Sequence, residues 1–200
     1  MKKIMLVLFA CASPSLFGQS FEAGISLGES VLGNSVLNRD ILTPGAAAGS
    51  NISLNNGFRF GFRVGLNPYR YMGAEFGYAY SRSQLHLDGP PASEQGMAIH
   101  QGFADGLIHA TKEGSRIRPF VAAGLNFSNF VPPGSSATSG GGQTKFGFNY
   151  GAGVKVKVAT NWLVRFDFRQ YETGKPDFGV FNPHGRLFQN EISVGFAFAL

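Results

Sequence analysis

The sequence predicts an all-β fold: an eight-stranded antiparallel up-and-down transmembrane β-barrel. Three observations carry that prediction. Only 14% of the 200 residues are charged while 44% are apolar, against roughly 25% charge in an ordinary soluble domain. No run of about 18 apolar residues exists to form a transmembrane helix. From Phe21 onward the chain alternates apolar residues with small or polar ones, which is the period of a strand with two unlike faces. Lipid supplies no partner for an unpaired backbone group, so a membrane chain without helical spans is left with a closed barrel. The 28 glycines and 14% aromatic residues also favour strands and turns over helices.

Residues 1–18 read as a secretory signal peptide, with residues 19–200 as the barrel domain. Lys2 and Lys3 form the positive n-region and Ile4 to Ala10 a short apolar core; cleavage is expected after Gly18 or one residue later, the alternative being Ala12. Cys11 is the only cysteine and leaves with the signal, so no disulfide or thiol chemistry is expected. Removing Lys2 and Lys3 from the 17 basic residues leaves 15 against 12 acidic ones, net +3. The positive charges are interleaved with acids along the strands, which gives no basis for a nucleic-acid partner.

Taken in order, the strands show their two faces plainly. Phe21, Ala23, Ile25 and Leu27 alternate with Glu22, Gly24, Ser26 and Gly28. The clearest run sets Phe58, Phe60, Phe62, Val64 and Leu66 against Arg59, Gly61, Arg63 and Gly65. Met72 to Tyr80 on the even positions oppose Gly73, Glu75, Gly77, Ala79 and Ser81. Later strands begin near Phe120, Phe146, Trp162 and Glu191 and follow the same alternation. Residues 97–110 must hold one more strand, but both its faces are mixed. Turning Phe103 and Leu107 outward would also turn out Gln101 and Asp105, and charge facing lipid is costly. A bulge offers one way to switch faces, and the register stays open.

Connections alternate in length. Short links are expected at 67–70, 111–115 and 159–161, and long ones at about 30–56, 83–96, 131–144 and 173–188. This is the pattern of short periplasmic turns and long extracellular loops, with both termini on the periplasmic side. The small-residue face separates the chain from a soluble barrel. A soluble strand would show Lys, Thr, Glu and Gln to water, whereas Gly, Ala and Ser with scattered charges suit a narrow lumen. Tyr69, Tyr71 and Trp162 are expected to form a periplasmic aromatic girdle, and Phe58, Tyr80, Phe127, Phe146 and Phe168 the opposite one.

Three segments carry a family resemblance: Arg118-Pro119-Phe120-Val121-Ala122-Ala123-Gly124, Asn149-Tyr150-Gly151-Ala152-Gly153-Val154 and Arg165-Phe166-Asp167-Phe168-Arg169. With these, the whole of 19–200 resembles the OmpA-like outer-membrane β-barrel family. The resemblance implies the outer membrane as location. It also implies outer-membrane lipid, lipopolysaccharide and the barrel-assembly machinery as partners, with an extracellular ligand at the loops. Ile192, Val194, Phe196, Phe198 and Leu200 look like the family's C-terminal assembly signal, departing from it in ending on Leu200 rather than an aromatic residue. The chain ends on its last strand, so the peptidoglycan-binding domain of larger OmpA-type proteins is expected to be absent.

Ten charged residues fall on the inferred lumen face: Glu22, Arg59, Arg63, Glu75, Arg118, Lys155, Arg165, Asp167, Arg169 and Glu191. They read either as a polar plug of paired groups or as the wall of a narrow conducting path. Six bases against four acids cannot pair one to one, so water or loop carboxylates must complete the set. Arg165-x-Asp167-x-Arg169 places an acid between two guanidinium groups on one face.

No catalytic, cofactor or metal site is expected. A lipid-modifying hydrolase needs a serine, a histidine and an acid at the membrane edge. His86, His100, His109 and His184 offer no His-x-Ser pair on an outward face and no ligand spacing for a metal. Gly140-Gly141-Gly142 with Lys145 lacks the order of a phosphate loop. The apolar loop residues Val31, Leu32, Val36, Leu37, Ile41, Phe178, Val180, Phe181 and Phe188 either mark a partner surface or pack over the barrel mouth. The role expected from all this is structural or adhesive, through the long loops. A narrow nonspecific pore is the alternative, and a lipid-directed enzyme the third.

Overall fold

Alternating sequence becomes alternating exposure in the computed structural model, which describes residues 20–32, 35–38, 52–87, 93–132, 134, 142–176 and 185–200. Eight long strands form the barrel: β1 (Ser20–Val31), β4 (Gly57–Asn67), β5 (Met72–Leu87), β6 (Ser93–His109), β7 (Ile117–Val131), β8 (Gln143–Lys157), β9 (Trp162–Gly174) and β10 (Arg186–Ala199). Neighbours in sequence pair antiparallel, β10 returns to β1, and β5 with β6 completes the ring. Two short strands, β2 (Ser35–Asn38) and β3 (Ile52–Leu54), lie in the first long connection and extend β5 beyond the end of β4. The signal segment with Cys11, the loop residues Ile41, Phe178, Val180 and Phe181, and His184 lie outside the described residues.

The ladder defines the barrel's geometry. From Met72 the register steps through Ile108, Val121, Ala152, Phe168, Ile192, Glu29 and Phe58, and meets β5 again at Arg82 instead of Met72, a displacement of ten residues. Eight strands closed with that stagger tilt by roughly 35–45° and leave an interior that side chains just fill. The same path orders depth, from Met72 at the periplasmic edge to Arg82 at the extracellular one. Phe168 stands halfway along it, so it belongs to the middle of the apolar belt and not to the extracellular girdle. Trp162 packs edge-on against Phe198 near the periplasmic end, where Tyr69 and Tyr71 are also exposed.

Phe62, Phe76, Leu125, Phe166, Ile192 and Phe196 point outward and are 46–72% exposed, the surface that meets lipid. Strand β6 resolves the face left open by the sequence. Its register with β5 runs unbroken from Met72↔Ile108 to Leu87↔Ser93, without a bulge. Met97, Ile99, Gln101, Phe103, Asp105, Leu107 and His109 all point inward and are buried. The lipid side of β6 is therefore mostly small: Ala98, Gly102, Ala104 and Gly106 beside His100 and Ile108. Phe103 fits inside because β5 has no side chain at Gly77; a Cβ there would lie 2.2 Å from the Phe103 ring. Phe120 occupies the corresponding gap at Gly153, and Leu107, Phe120 and Ala122 form one buried apolar cluster.

This packing yields a first prediction. Gly77→Val is expected to lower the unfolding midpoint in detergent micelles, at a cost of about 1–3 kcal/mol for overpacking. Gly106→Val, where a Cβ meets only the Ala123 carbonyl at 3.9 Å, is expected to leave it unchanged. Equal midpoints for the two would mean that the Phe103 ring does not depend on the glycine.

Candidate functional site

All ten charged residues assigned to the lumen face point inward and are nearly fully buried. Adjacent tilted strands carry them, so residues far apart in sequence meet across the narrow interior. At the centre, Arg165 and Arg169 share Glu75. Arg169 Nη2 donates to Glu75 Oε1 at 2.6 Å, and Arg165 makes a two-point contact with the same carboxylate. Asp167 accepts from Arg165 at 2.6 and 2.8 Å, lies 2.9 Å from Arg63 and 3.4 Å from Arg169. The i, i+2, i+4 spacing read from β9 thus places one carboxylate between two guanidinium groups, and β4 adds a third.

Toward the extracellular side, Glu191 accepts from Arg63 at 2.5 Å and from the Tyr171 hydroxyl at 2.8 Å, with Arg59 Nε 2.9 Å away. Arg169 also meets Asp105, whose other oxygen accepts from Asn149 at 2.8 Å. Toward the periplasm, Lys155 donates to Glu22 at 2.5 Å. Asn67 donates to Glu22 at 3.0 Å and accepts from Arg118 at 3.1 Å. Arg118 also pairs with Glu113 and donates to the Arg70 carbonyl at 3.3 Å.

Rings cover what the carboxylates leave. Arg165 lies 4.5 Å from the Phe120 centroid, Arg59 4.8 Å from Tyr171 and Arg169 5.2 Å from Phe103, distances at which a cation is attracted to the ring face. The missing acids are now accounted for. Asp105 comes from the strand whose face was ambiguous and Glu113 from the turn between β6 and β7. Among the described residues the lumen then holds six cations, Arg59, Arg63, Arg118, Lys155, Arg165 and Arg169. Six carboxylates face them: Glu22, Glu75, Asp105, Glu113, Asp167 and Glu191. A cavity of about 20 Å³ beside Ser26, Arg63, Glu75 and Arg165 has room for about one water molecule.

Above the charges lies a neutral layer in which Gln101 donates to Ser128 at 2.9 Å and Gln189 to Ser30 at 2.7 Å. Above that, Leu32, Leu54, Met97, Ile99, Phe130, Val131 and Leu187 are all at most 5% exposed and lie toward the extracellular end of the barrel. Leu32 of the first loop therefore packs inward, while Phe188 faces out. Tyr171, Phe103 and Asn149 also belong to the network. Tyr171 was readable, being two residues beyond Arg169 on the same face. Glu113 was not, because a turn has no alternation.

Among the described residues, no three His, Cys, Asp or Glu side chains gather as a metal site. The outward C-terminal series Ile192, Val194, Phe196, Phe198 and Leu200 forms part of the lipid-facing belt.

A closed antiparallel ring with an apolar outer belt and paired charges inside is the construction of an integral outer-membrane barrel. The chain belongs to the family of the outer membrane protein beta-barrel domain, whose model matches residues 4–199, and its place is the outer membrane. It is similar in fold to the outer membrane protein OprG of Pseudomonas aeruginosa, with 12% identity, a TM-score of 0.67, and coverage of 90% of this chain and 95% of that one. Neisserial surface protein A follows at 15% identity and TM-score 0.57, covering 90% and 96%. The N-terminal barrel domain of Pseudomonas aeruginosa OprF shows 17% identity and TM-score 0.50, covering 90% and 97%. No curated protein matches the chain.

Proposed function

We propose that this protein is a closed, non-enzymatic scaffold that presents its extracellular loops for adhesion or binding, and is not a channel. The observation that carries this reading is the filled lumen: six cations matched to six carboxylates beneath a layer of buried apolar side chains. An ion crossing it would have to break buried pairs, and separating charges in a narrow, side-chain-filled interior is costly.

The extracellular end supports the display role. Strands β5 and β6 contain 16 and 17 residues, where about 9–11 span the bilayer. Beyond Arg82 they continue as a hairpin, roughly 15 Å long at about 3.3 Å per residue, onto which β3 and β2 add. His86 and Glu94 meet across that hairpin at 3.3 Å. Two histidines near the membrane surface have partners that fit a structural role. His100 is bonded to the Tyr78 hydroxyl at 2.5 Å, and His109 packs on Phe120 inside the lumen.

Refolded protein in a planar bilayer is expected to show no discrete conductance steps. Stable, reproducible channels from fully folded protein would overturn the proposal and make the lumen arginines determinants of ion selectivity.

A further inference from the structure

The lipid-facing surface is not evenly filled. Because β6 turns its large residues inward, a groove of about 640 Å³ is left on the outside of the barrel across β5 to β9. Gly106, Ala123 and Ala152 floor it, and Met72, Val121 and Tyr150 stand among its walls. The space at Gly106 is open, since a Cβ there would meet only one atom within 4 Å, at 3.9 Å. Met72 and Ile108 mark its lower end at the periplasmic edge.

The periplasmic rim below the groove carries exposed cations: Arg70 before β5, and Lys112 and Arg116 between β6 and β7. Backbone bonds tie these turns together. Glu113 N donates to the Arg70 carbonyl at 3.0 Å, and Lys157 N, at the foot of β8, donates to the Arg116 carbonyl at 2.8 Å. Glu113, the acid of the same turn, is engaged by Arg118. One sector of the barrel thus joins an apolar trough to a cationic rim at headgroup level.

We propose that this sector is a binding site for an anionic phospholipid of the periplasmic leaflet, with an acyl chain in the groove and the phosphate at Arg70, Lys112 and Arg116. Each half has its own physical reason. A chain in the trough gains contacts that a bare small-residue surface lacks, and each basic residue at the membrane surface attracts the anionic headgroup.

The test is native mass spectrometry of protein refolded in detergent and offered dimyristoyl phosphatidylglycerol or dimyristoyl phosphatidylcholine. Wild type is expected to retain the glycerol lipid over the choline lipid by about tenfold or more. Arg70→Gln/Lys112→Gln/Arg116→Gln is expected to bring the two to parity. Gly106→Leu, which fills the groove, is expected to reduce retention of both; Ala123→Leu replaces it if that variant fails to fold. Millimolar inorganic phosphate is expected not to displace the lipid. Three results would each overturn the proposal. One is equal retention of the two lipids by wild type, and another is selectivity that survives loss of the cations. The third is undiminished retention in a folded groove-filled variant, which would reduce the site to surface charge.

Discussion

Asp167→Leu is expected to destabilise the barrel by about 3–5 kcal/mol, the cost of removing one partner from a buried ion pair. Asp167 sits among Arg63, Arg165 and Arg169, and all four side chains are almost fully excluded from solvent. Leucine would leave those guanidinium groups to Glu75, Glu191 and Asp105, a set already shared between them. The loss is read as a lowered urea midpoint in detergent micelles. The companion variant tests the pairing itself. Adding Arg63→Leu restores the charge balance, so the double variant is expected to be more stable than Asp167→Leu alone, because replacing both partners of a buried pair by apolar residues is often close to neutral. Strictly additive losses would mean that the network is a set of independent contacts.

Phe62→Arg is expected to cost about 2–4 kcal/mol, the penalty for a cation facing lipid at the bilayer midplane. Phe62 is outward and lies at mid-depth, opposite Ile25 and Tyr78. The comparison residue is Phe58, which is equally outward but sits opposite Arg82 at the extracellular edge, where an exposed arginine already stands. Phe58→Arg is expected to cost only about 0–1 kcal/mol. Unfolding in phospholipid vesicles measures both, and a ranking in the reverse order would show that the depth assigned from the register is wrong. Inward substitution at Ser26 is a poorer control. Ser26 is buried beside a space of only about 20 Å³, so an arginine there would fail for lack of room and not for reasons of polarity.

Most of the fold was legible because a strand has only two faces. Over residues 58–65 of β4 and 164–169 of β9 each even residue is apolar and each odd one glycine or charged, so parity alone separated Phe62 from Arg63 and Phe166 from Arg165. The lumen cluster followed from the same parity. Strand β6 escaped because parity conflicts with size there. Phe103 and Leu107 share a face with Gln101 and Asp105, and nothing local says which pair prevails. Lipid decides it: a carboxylate turned outward loses its solvent, whereas a phenyl ring turned inward loses nothing if a gap exists to receive it. That gap is Gly77, 26 residues earlier in the chain and adjacent only once β5 and β6 pair.

Charge neutrality of the lumen has the same origin. Arg169 and Asp105 are 64 residues apart and Lys155 and Glu22 are 133 apart. A strand pattern reports which way each charge points but not what it meets across the barrel. The stagger of ten residues around the ring sets those partners. Local residue preferences therefore specify the barrel, its faces and its membrane, while closure of the ring specifies the ion pairs, the packing of Phe103 and the groove outside β6.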